Sequence, residues 1–464
     1  MLMPVGAGVM FEKAESFPMA LLKMINISRH KMGATIGITL VTCIGLMASV
    51  LVKPSVDVKH HSFSIYWIVV LFGAVLLMCT GRISLQEVAA GLSTDSAVNP
   101  IKILVLFFSM SVLSIFLDEV GFFRYLASYT LMHARASQKS LFIYLYVIVS
   151  FLTVFTSNDI IILTFTPFIC YFAKNAKIDP TPYLFAEFVA ANTWSMMFII
   201  GNPTNIYLAT ANGIDFVDYF LTMGFPTFCC GVTAFFVLYM IFRKKLSEKL
   251  STDFTEEKIT DRKLLTIGLV HLASCTVMLV ISAYIEVEMW LITLAFALSL
   301  FLFDRSYRLM SHTKGDELKN CLKRVPWELI PFIISMFVIV LSLDKYNITG
   351  ILSEFLESRY AVFTYGGASF LTANLINNIP MSVLFCPVIS GASEAIREGA
   401  VYAAVVGSNL GAILTPVGAL AAIMWSNILK TNKVKFNFGM YVKYGAIVSI
   451  PSIIVTLFVL YVTL

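Results

Sequence analysis

Ser157-Asn158-Asp159-Ile160 running to Thr166-Pro167-Phe168-Ile169, and Asn377-Asn378-Ile379-Pro380 running to Cys386-Pro387-Val388-Ile389, decide the fold. Each segment sets polar side chains between two apolar runs, with a Pro at matching distance, and the second recurs about 220 positions after the first. Polar groups flanked on both sides by hydrocarbon are expensive, so a chain that places them there twice is using them. A two-fold repeat of such interruptions is the pattern of a secondary transporter's binding site.

Composition fixes the setting. The 464 residues are 58% hydrophobic and 13% charged, with a mean hydropathy of +0.83. A soluble domain carries roughly 25% charged residues, so the chain is a polytopic membrane protein. Its net charge of +5 does not point to nucleic acid, because the basic residues lie in short loops between apolar spans. The eight Cys are scattered without C-x-x-C spacing and read as small buried hydrophobes. No A-x-A-like cleavage site precedes the first span.

Apolar windows of spanning length fall near 33–52, 63–80, 101–117, 183–210, 219–242, 264–285, 287–303, 326–343, 400–427 and 439–462, giving ten spans. Two further stretches, 141–173 and 361–391, are split by the polar pairs. Their arms of about 13 to 16 residues reach roughly 20–24 Å as helix, short of a hydrocarbon core about 30 Å thick. Re-entrant helical hairpins fit better than full crossings, and their tips must be buried in protein or line a cavity.

With two such hairpins, the loops 53–62, 118–140, 174–182, 243–263, 304–325 and 428–438 share one side and carry most of the 33 Lys and Arg. The positive-inside rule makes that side cytoplasmic. Asp215, Asp218, Glu286 and Glu288 then face outside. Residues 1–32 carry Lys13, Lys23, Arg29 and Lys31 yet fall outside in this scheme. A surface helix, an extra crossing, or a start at Met24 or Met32 would each reconcile them with it.

The halves match in order: spans, an amphipathic connector, a hairpin, an interrupted span and a closing span. Five spans is an odd number, so the second half enters the membrane upside down. The expected architecture is therefore an all-α integral membrane protein, an inverted repeat of five plus five spans with two re-entrant hairpins and two broken helices. Its parts are an N-terminal extension (1–32), a first repeat (33–242, hairpin 141–173, broken helix 183–210), a cytoplasmic linker (243–263) and a second repeat (264–464, hairpin 361–391, broken helix 400–427). The amphipathic stretches Glu119 to Arg135 and Lys345 to Arg359 read as surface helices linking a fixed scaffold to a mobile hairpin unit.

Each hairpin is followed by an interruption, Gly201-Asn202-Pro203-Thr204-Asn205 in one half and Thr415-Pro416-Val417-Gly418 in the other. Pro removes an N–H and Gly permits unusual backbone angles, so helices unwind there. Freed carbonyls can coordinate a cation, while half-helix N-termini attract an anion. A lone Pro in a spanning helix is often only a kink; four interruptions at matching places in two repeats are a site. Asp159 is the sharpest residue, since a charge at mid-membrane costs about 2.5–3.5 kcal/mol or more. It must be protonated, ion-paired or cation-bound, and capping of the second arm is its bland alternative. Glu187 reads as a boundary residue near the cytoplasmic end of its span, and His271 as structural.

At these residues the chain resembles the ion transporter superfamily, and within it the arsenite/antimonite efflux permeases. Leu117-Asp118-Glu119-Val120-Gly121-Phe122-Phe123 is similar to that family's first connector. Asn158-Asp159 with Leu163 and Thr166-Pro167 is similar to its first hairpin, and Asn377-Asn378-Ile379-Pro380 to its second. Gly407-Ser408-Asn409-Leu410-Gly411 with Thr415-Pro416-Val417-Gly418 and Trp425 resembles its second interrupted helix. The resemblance implies an elevator-type carrier, often dimeric, and allows a separate ATPase subunit. Three departures change the electrostatics of the site. Those permeases usually carry Asp where Asn409 and Asn192 stand, and Pro-Lys where Ala412-Ile413 stands. The Gly201–Asn205 segment resembles the wider superfamily more than the arsenite branch.

The expected function is a multi-pass, plasma-membrane secondary transporter of a small anion or metalloid, with arsenite/antimonite-type efflux leading. Ser157, Asn158, Asp159, Asn377 and Asn378 would line the site from the hairpins, with Asn192, Gly201, Asn202, Thr204, Asn205, Asn409, Thr415 and Gly418 facing them. H⁺ or Na⁺ would couple near Asp159, with no cofactor and no fixed metal. The rival within the class is sodium- or proton-coupled symport of a dicarboxylate, citrate or sulfate-like anion; an anion channel is the rival from another class. No G-x-x-x-x-G-K-[ST], H-E-x-x-H or G-x-S-x-G occurs, which argues against an ATPase or a hydrolase.

Overall fold

The computed structural model describes residues 30–51, 55–58, 61–94, 99–134, 137–247, 259, 261–313 and 315–464. The N-terminal extension lies almost wholly outside the described residues, as do 248–258 and 260 of the linker. The first half runs α1 (His30–Leu51), α2 (Tyr66–Cys79), a short α3 (Leu85–Ser93), α4 (Pro100–Glu119) and the connector α5 (Phe122–His133). The hairpin α6 (Gln138–Phe155) and α7 (Asn158–Ala176) follows, then α8 (Thr181–Trp194) and α9 (Pro203–Ala211) across a break, and α10 (Phe216–Phe242). The second half repeats this order. It runs α11 (Arg262–Ile281), α12 (Met289–Ser311), α13 (Glu317–Arg324), α14 (Leu329–Lys345), α15 (Ile348–Leu356), α16 (Ala361–Ile376), α17 (Asn378–Ser390), α18 (Glu394–Leu414), α19 (Leu420–Thr431) and α20 (Phe438–Thr463).

The packing is reciprocal between halves. α4 lies on α12 as α14 lies on α2, and α13 touches α4 as α3 touches α14. Among the hairpins, α6 packs on α8 as α16 packs on α18, and α7 meets α19 as α17 meets α9. Both connectors start on a left-handed residue, Gly121 at φ 90° and Asn347 at φ 57°, which turns the chain sharply off α4 and α14.

Eight helical stretches among the described residues are long and apolar enough to cross a membrane by length and composition, one of them α13 and α14 taken together (Glu317–Lys345). Their exposure sorts them: the most hydrophobic window of α4 is 78% buried and that of α1 is 22% buried. Phe72, Phe151, Leu302 and Phe458 stand exposed on helix flanks, where a bilayer supplies the missing apolar partner.

The all-α class holds, with one addition and one correction. Ser55–Val58 (β1) pairs antiparallel with His61–Ser64 (β2) between α1 and α2. The polar–apolar alternation of Ser55-Val56-Asp57-Val58 suits a two-residue period too short to register as a strand beside long spans. The first hairpin's arms hold 18 and 19 residues, more than expected. They overrun the apolar run at their outer ends, in Gln138-Lys139-Ser140 and in Lys174-Asn175-Ala176. The second hairpin's arms hold 16 and 13 residues.

Small residues set the closest crossing. A Cβ added at Gly407 of α18 would collide with Ser369 Oγ, the Gly366 carbonyl and the Phe370 amide of α16, and one at Gly411 would meet Ala373 and the Phe370 carbonyl at 3.0 Å. This is the small-x-x-x-small packing of helices in lipid. Gly407→Val is expected to destabilise the protein by about 1–3 kcal/mol or more, the usual cost of overpacking. A thermal melt in detergent unchanged by this substitution would contradict the crossing.

Candidate functional site

Both predicted interruptions are present. α8 ends at Trp194, a 3₁₀ turn covers Ile199–Gly201, and α9 restarts at Pro203, where the missing N–H costs nothing. In the second half, α18 ends at Leu414, a 3₁₀ turn covers Pro416–Gly418, and α19 restarts at Leu420. The first break opens six residues before Gly201, because Ser195 and the Asn side chains capture backbone groups that a helix would otherwise pair.

These captures form one buried network. Asn158, opening α7, donates from Nδ2 to Asn192 Oδ1 on α8 at 3.1 Å. Asn192 donates to the Phe188 carbonyl, and the Ser195 hydroxyl donates to the Asn192 carbonyl at 3.0 Å and to Asn409 Oδ1 at 3.1 Å. Asn202 Nδ2 also donates to Asn409 Oδ1, at 2.8 Å, while Asn409 Nδ2 donates to Asn205 Oδ1 at 2.7 Å and to the Val405 carbonyl at 2.9 Å. Asn202 Oδ1 accepts from the Thr204 amide and hydroxyl, and Asn205 Nδ2 holds the Ser195 carbonyl at 2.8 Å. Asn158, Asn192, Ser195, Asn202, Thr204, Asn205 and Asn409 are all 0–2% exposed. One amide at 409 thus ties the broken helices of the two halves together, and Asn158 ties the first hairpin to them.

The second hairpin makes a smaller pair of contacts. Asn377, at φ 77°, donates to the Val417 carbonyl at 3.0 Å and caps α17 by accepting from the Ile379 amide. The Thr415 hydroxyl donates to Asn374 Oδ1 at 2.7 Å. Gly201 and Gly418 sit against backbone, where a Cβ would strike the Ser195 and Gly411 carbonyls respectively. Two residues stand apart. Among the described residues Ser157 Oγ is buried without a partner, and the side chain of Asn378 shares in none of these contacts although it is 4% exposed.

Asp159 occupies the first turn of α7, with its amide donating to Asn158 Oδ1 at 2.9 Å. Among the described residues its carboxylate has no ion pair and no hydrogen bond; the group whose charge environment it alters is Tyr66 on α2. It is half-buried and lies beside the Asn network rather than within it.

Glu187 corrects its sequence reading. It is fully buried, accepting from the Thr166 hydroxyl on α7 at 3.0 and 3.2 Å and from the Trp425 indole N–H on α19 at 3.3 Å. A boundary position would have left it in water; the antiparallel packing of α7 on α8 carries it inside instead. Sequence reasoning also missed Ser195 and Asn374. Asn374 was open to the rule that picked out Asn377, being a polar amide in an apolar run, whereas a serine hydroxyl such as that of Ser195 carries almost no such signal. His271 bonds the Ile267 carbonyl at 2.7 Å and Ser299 at 3.2 Å, away from the network.

Two clefts lie beside α4, α14 or the turns next to them. One, of about 320 Å³, lies among Lys102, Thr210, Asp215, Glu286, Glu288 and Trp290. The other, of about 430 Å³, lies among Tyr207, Val340, Asp344, Asn347, Val383 and Ser390.

The family model of the citrate transporter matches residues 65–406, well over half of the chain. The arsenical pump membrane protein of Escherichia coli K12 is 26% identical over 369 residues, covering 76% of this chain and 84% of that protein. A putative arsenical pump membrane protein of Bacillus subtilis is 23% identical over 422 residues, covering 84% and 92% respectively. The crystal structure of the Alcanivorax borkumensis YdaH transporter aligns with a TM-score of 0.55 at 12% identity, over 93% of this chain and 98% of that one, a likeness of fold alone. The chain therefore belongs to the citrate transporter family and is a multi-pass plasma-membrane transporter homologous to the arsenical pump membrane proteins.

Proposed function

We propose that the chain is a secondary active carrier of a small anion or metalloid, driven by a proton or sodium gradient, with arsenite/antimonite-type efflux as its leading substrate. The observation that carries this reading is the amide network joining the first hairpin to both broken helices, with the Asp159 carboxylate at its edge. Amides offer donors and acceptors without fixed charge, which suits a ligand of polar hydroxyls or oxyanion oxygens. The reciprocal packing of the halves supports an inverted repeat, with repeats at 33–242 and 264–464. Clefts between α4 or α14 and the hairpin unit support elevator motion, in which hairpins and broken helices move together along a fixed scaffold.

Sodium- or proton-coupled symport of citrate, a dicarboxylate or sulfate is the second reading. Asn at 192 and 409 favours it, because a site with two fewer acids repels an anion less. Expression in an arsenite-sensitive host lacking its own efflux pump separates the two: efflux predicts raised tolerance and lower cell-associated arsenite. Unchanged tolerance, together with growth on citrate as the carbon source, would select symport.

A further inference from the structure

The two halves superpose their chemistry closely enough to expose what only one of them carries. Asn158 and Asn378 each open a second hairpin arm, and Pro167 and Pro387 stand at the same step along it. Asn192 and Asn409 likewise correspond, each donating to the carbonyl four residues earlier, Phe188 and Val405. In this frame Thr166 matches Cys386, and Glu187 matches Ala404. Both members of the second pair are fully buried, so the same helix crossing packs without an acid. Glu187 is therefore not required by packing.

Its surroundings do not fix its charge either. Glu187, Thr166 and Trp425 are each 0% exposed. The effective penalty for burying a carboxylate is several kcal/mol, and among the described residues no cation pairs with it. Against that, two neutral donors point at its oxygens from α7 and α19. The titratable group facing it from α7 is the Cys170 thiol. Tyr183 on α8 donates to Gln138, and Tyr441 on α20, which packs on Trp425, donates to the Ala412 carbonyl. α6, α10, α18 and α19 bring no charged side chain against it among the described residues. Desolvation and donation oppose one another, as they must at a group that both takes up and gives up a proton.

We infer that Glu187, held by the Thr166 hydroxyl and the Trp425 indole, is a proton-binding site within the hairpin unit, separate from Asp159. The proton is taken from water on one side of the membrane and returned to water on the other, with the carboxylate regenerated. All three residues belong to the hairpin and the broken helices, so the proton rides with the unit that moves. Thr166 lies eight residues beyond Asn158 on α7, about 12 Å along the helix, which places the site toward the cytoplasm from the amide network. The coupling role rests on the carrier reading; the protonation itself does not.

Infrared difference spectroscopy on the full chain in liposomes, between about pH 5 and about pH 9, tests it without any substrate. The expected result is a carboxylic-acid carbonyl band that titrates in the wild type and in Asp159→Asn and is missing in Glu187→Gln. Thr166→Val, which removes a donor to the ionised form, is expected to move the midpoint about 1–2 pH units toward alkali, and it keeps the test open if Glu187→Gln does not fold. A band that survives Glu187→Gln, or one assigned to Glu187 that never titrates, overturns the inference. With a transported substrate in hand, Glu187→Gln is expected to lower the number of protons moved per substrate, and an unchanged ratio would overturn the coupling role while leaving the carrier reading intact.

Discussion

Asp159→Asn is expected to abolish gradient-driven accumulation while leaving the protein folded and inserted. The asymmetry follows from the contacts. Among the described residues only the backbone amide of Asp159 is engaged, with Asn158 Oδ1, so its neutral isostere gives up no hydrogen bond or ion pair there. What vanishes is a charge in the membrane, worth about 2.5–3.5 kcal/mol or more when uncompensated. On the carrier reading, that charge would penalise movement of an unloaded unit and be relieved by a bound proton or cation, linking ion binding to translocation. A coupling free energy of about 1–3 kcal/mol corresponds to roughly a 5–150-fold loss in coupled accumulation. Proteoliposome uptake with imposed gradients measures the loss, and size-exclusion profiles and melts in detergent monitor folding. Wild-type dependence on pH and sodium in this variant would remove Asp159 from coupling.

The second large effect is expected at Asn409. Its side chain makes four hydrogen bonds, accepting from Ser195 and Asn202 and donating to Asn205 and the Val405 carbonyl. Asn409→Leu would orphan the Asn202 donor and the Asn205 acceptor inside a fully buried cluster, while Ser195 keeps only its bond to the Asn192 carbonyl. Each orphan costs about 1–3 kcal/mol, and the loss severs the tie between the broken helices of the two halves. Transport should fail and the melting temperature should fall together. Asn409→Asp is the sharper comparison. It keeps the acceptor but turns the group facing Asn205 Oδ1 into a second acceptor, unless protonated. Its loss of stability is therefore expected to be smaller in acid than in alkali, and an equal loss at both would show that the donor at 409 is unimportant.

The hairpins and both breaks were legible because amides, Pro and Gly inside hydrocarbon have few uses other than interruption. Asn158, Asn377, Pro203 and Pro416 mark boundaries that the structure places within a residue or two. The connectors were legible from their polarity. Other features hide in ordinary composition. The first break opens at Ser195 within Trp194-Ser195-Met196-Met197, a run apolar enough to pass for helix. Glu187 looked peripheral because sequence position gives depth along one helix but not which neighbours close over it. Thr166 and Trp425, one 21 residues before it and the other 238 after it, do that closing. The β1–β2 ribbon is too short for its alternation to register beside the long apolar spans flanking it.

Accumulation of labelled arsenite in everted membrane vesicles, compared with citrate and sulfate under imposed proton or sodium gradients, tests the carrier reading most directly. Saturable uptake of arsenite that collapses when the gradient is dissipated is the predicted result. Flux that never saturates and ignores both gradients would contradict a carrier and point to a channel.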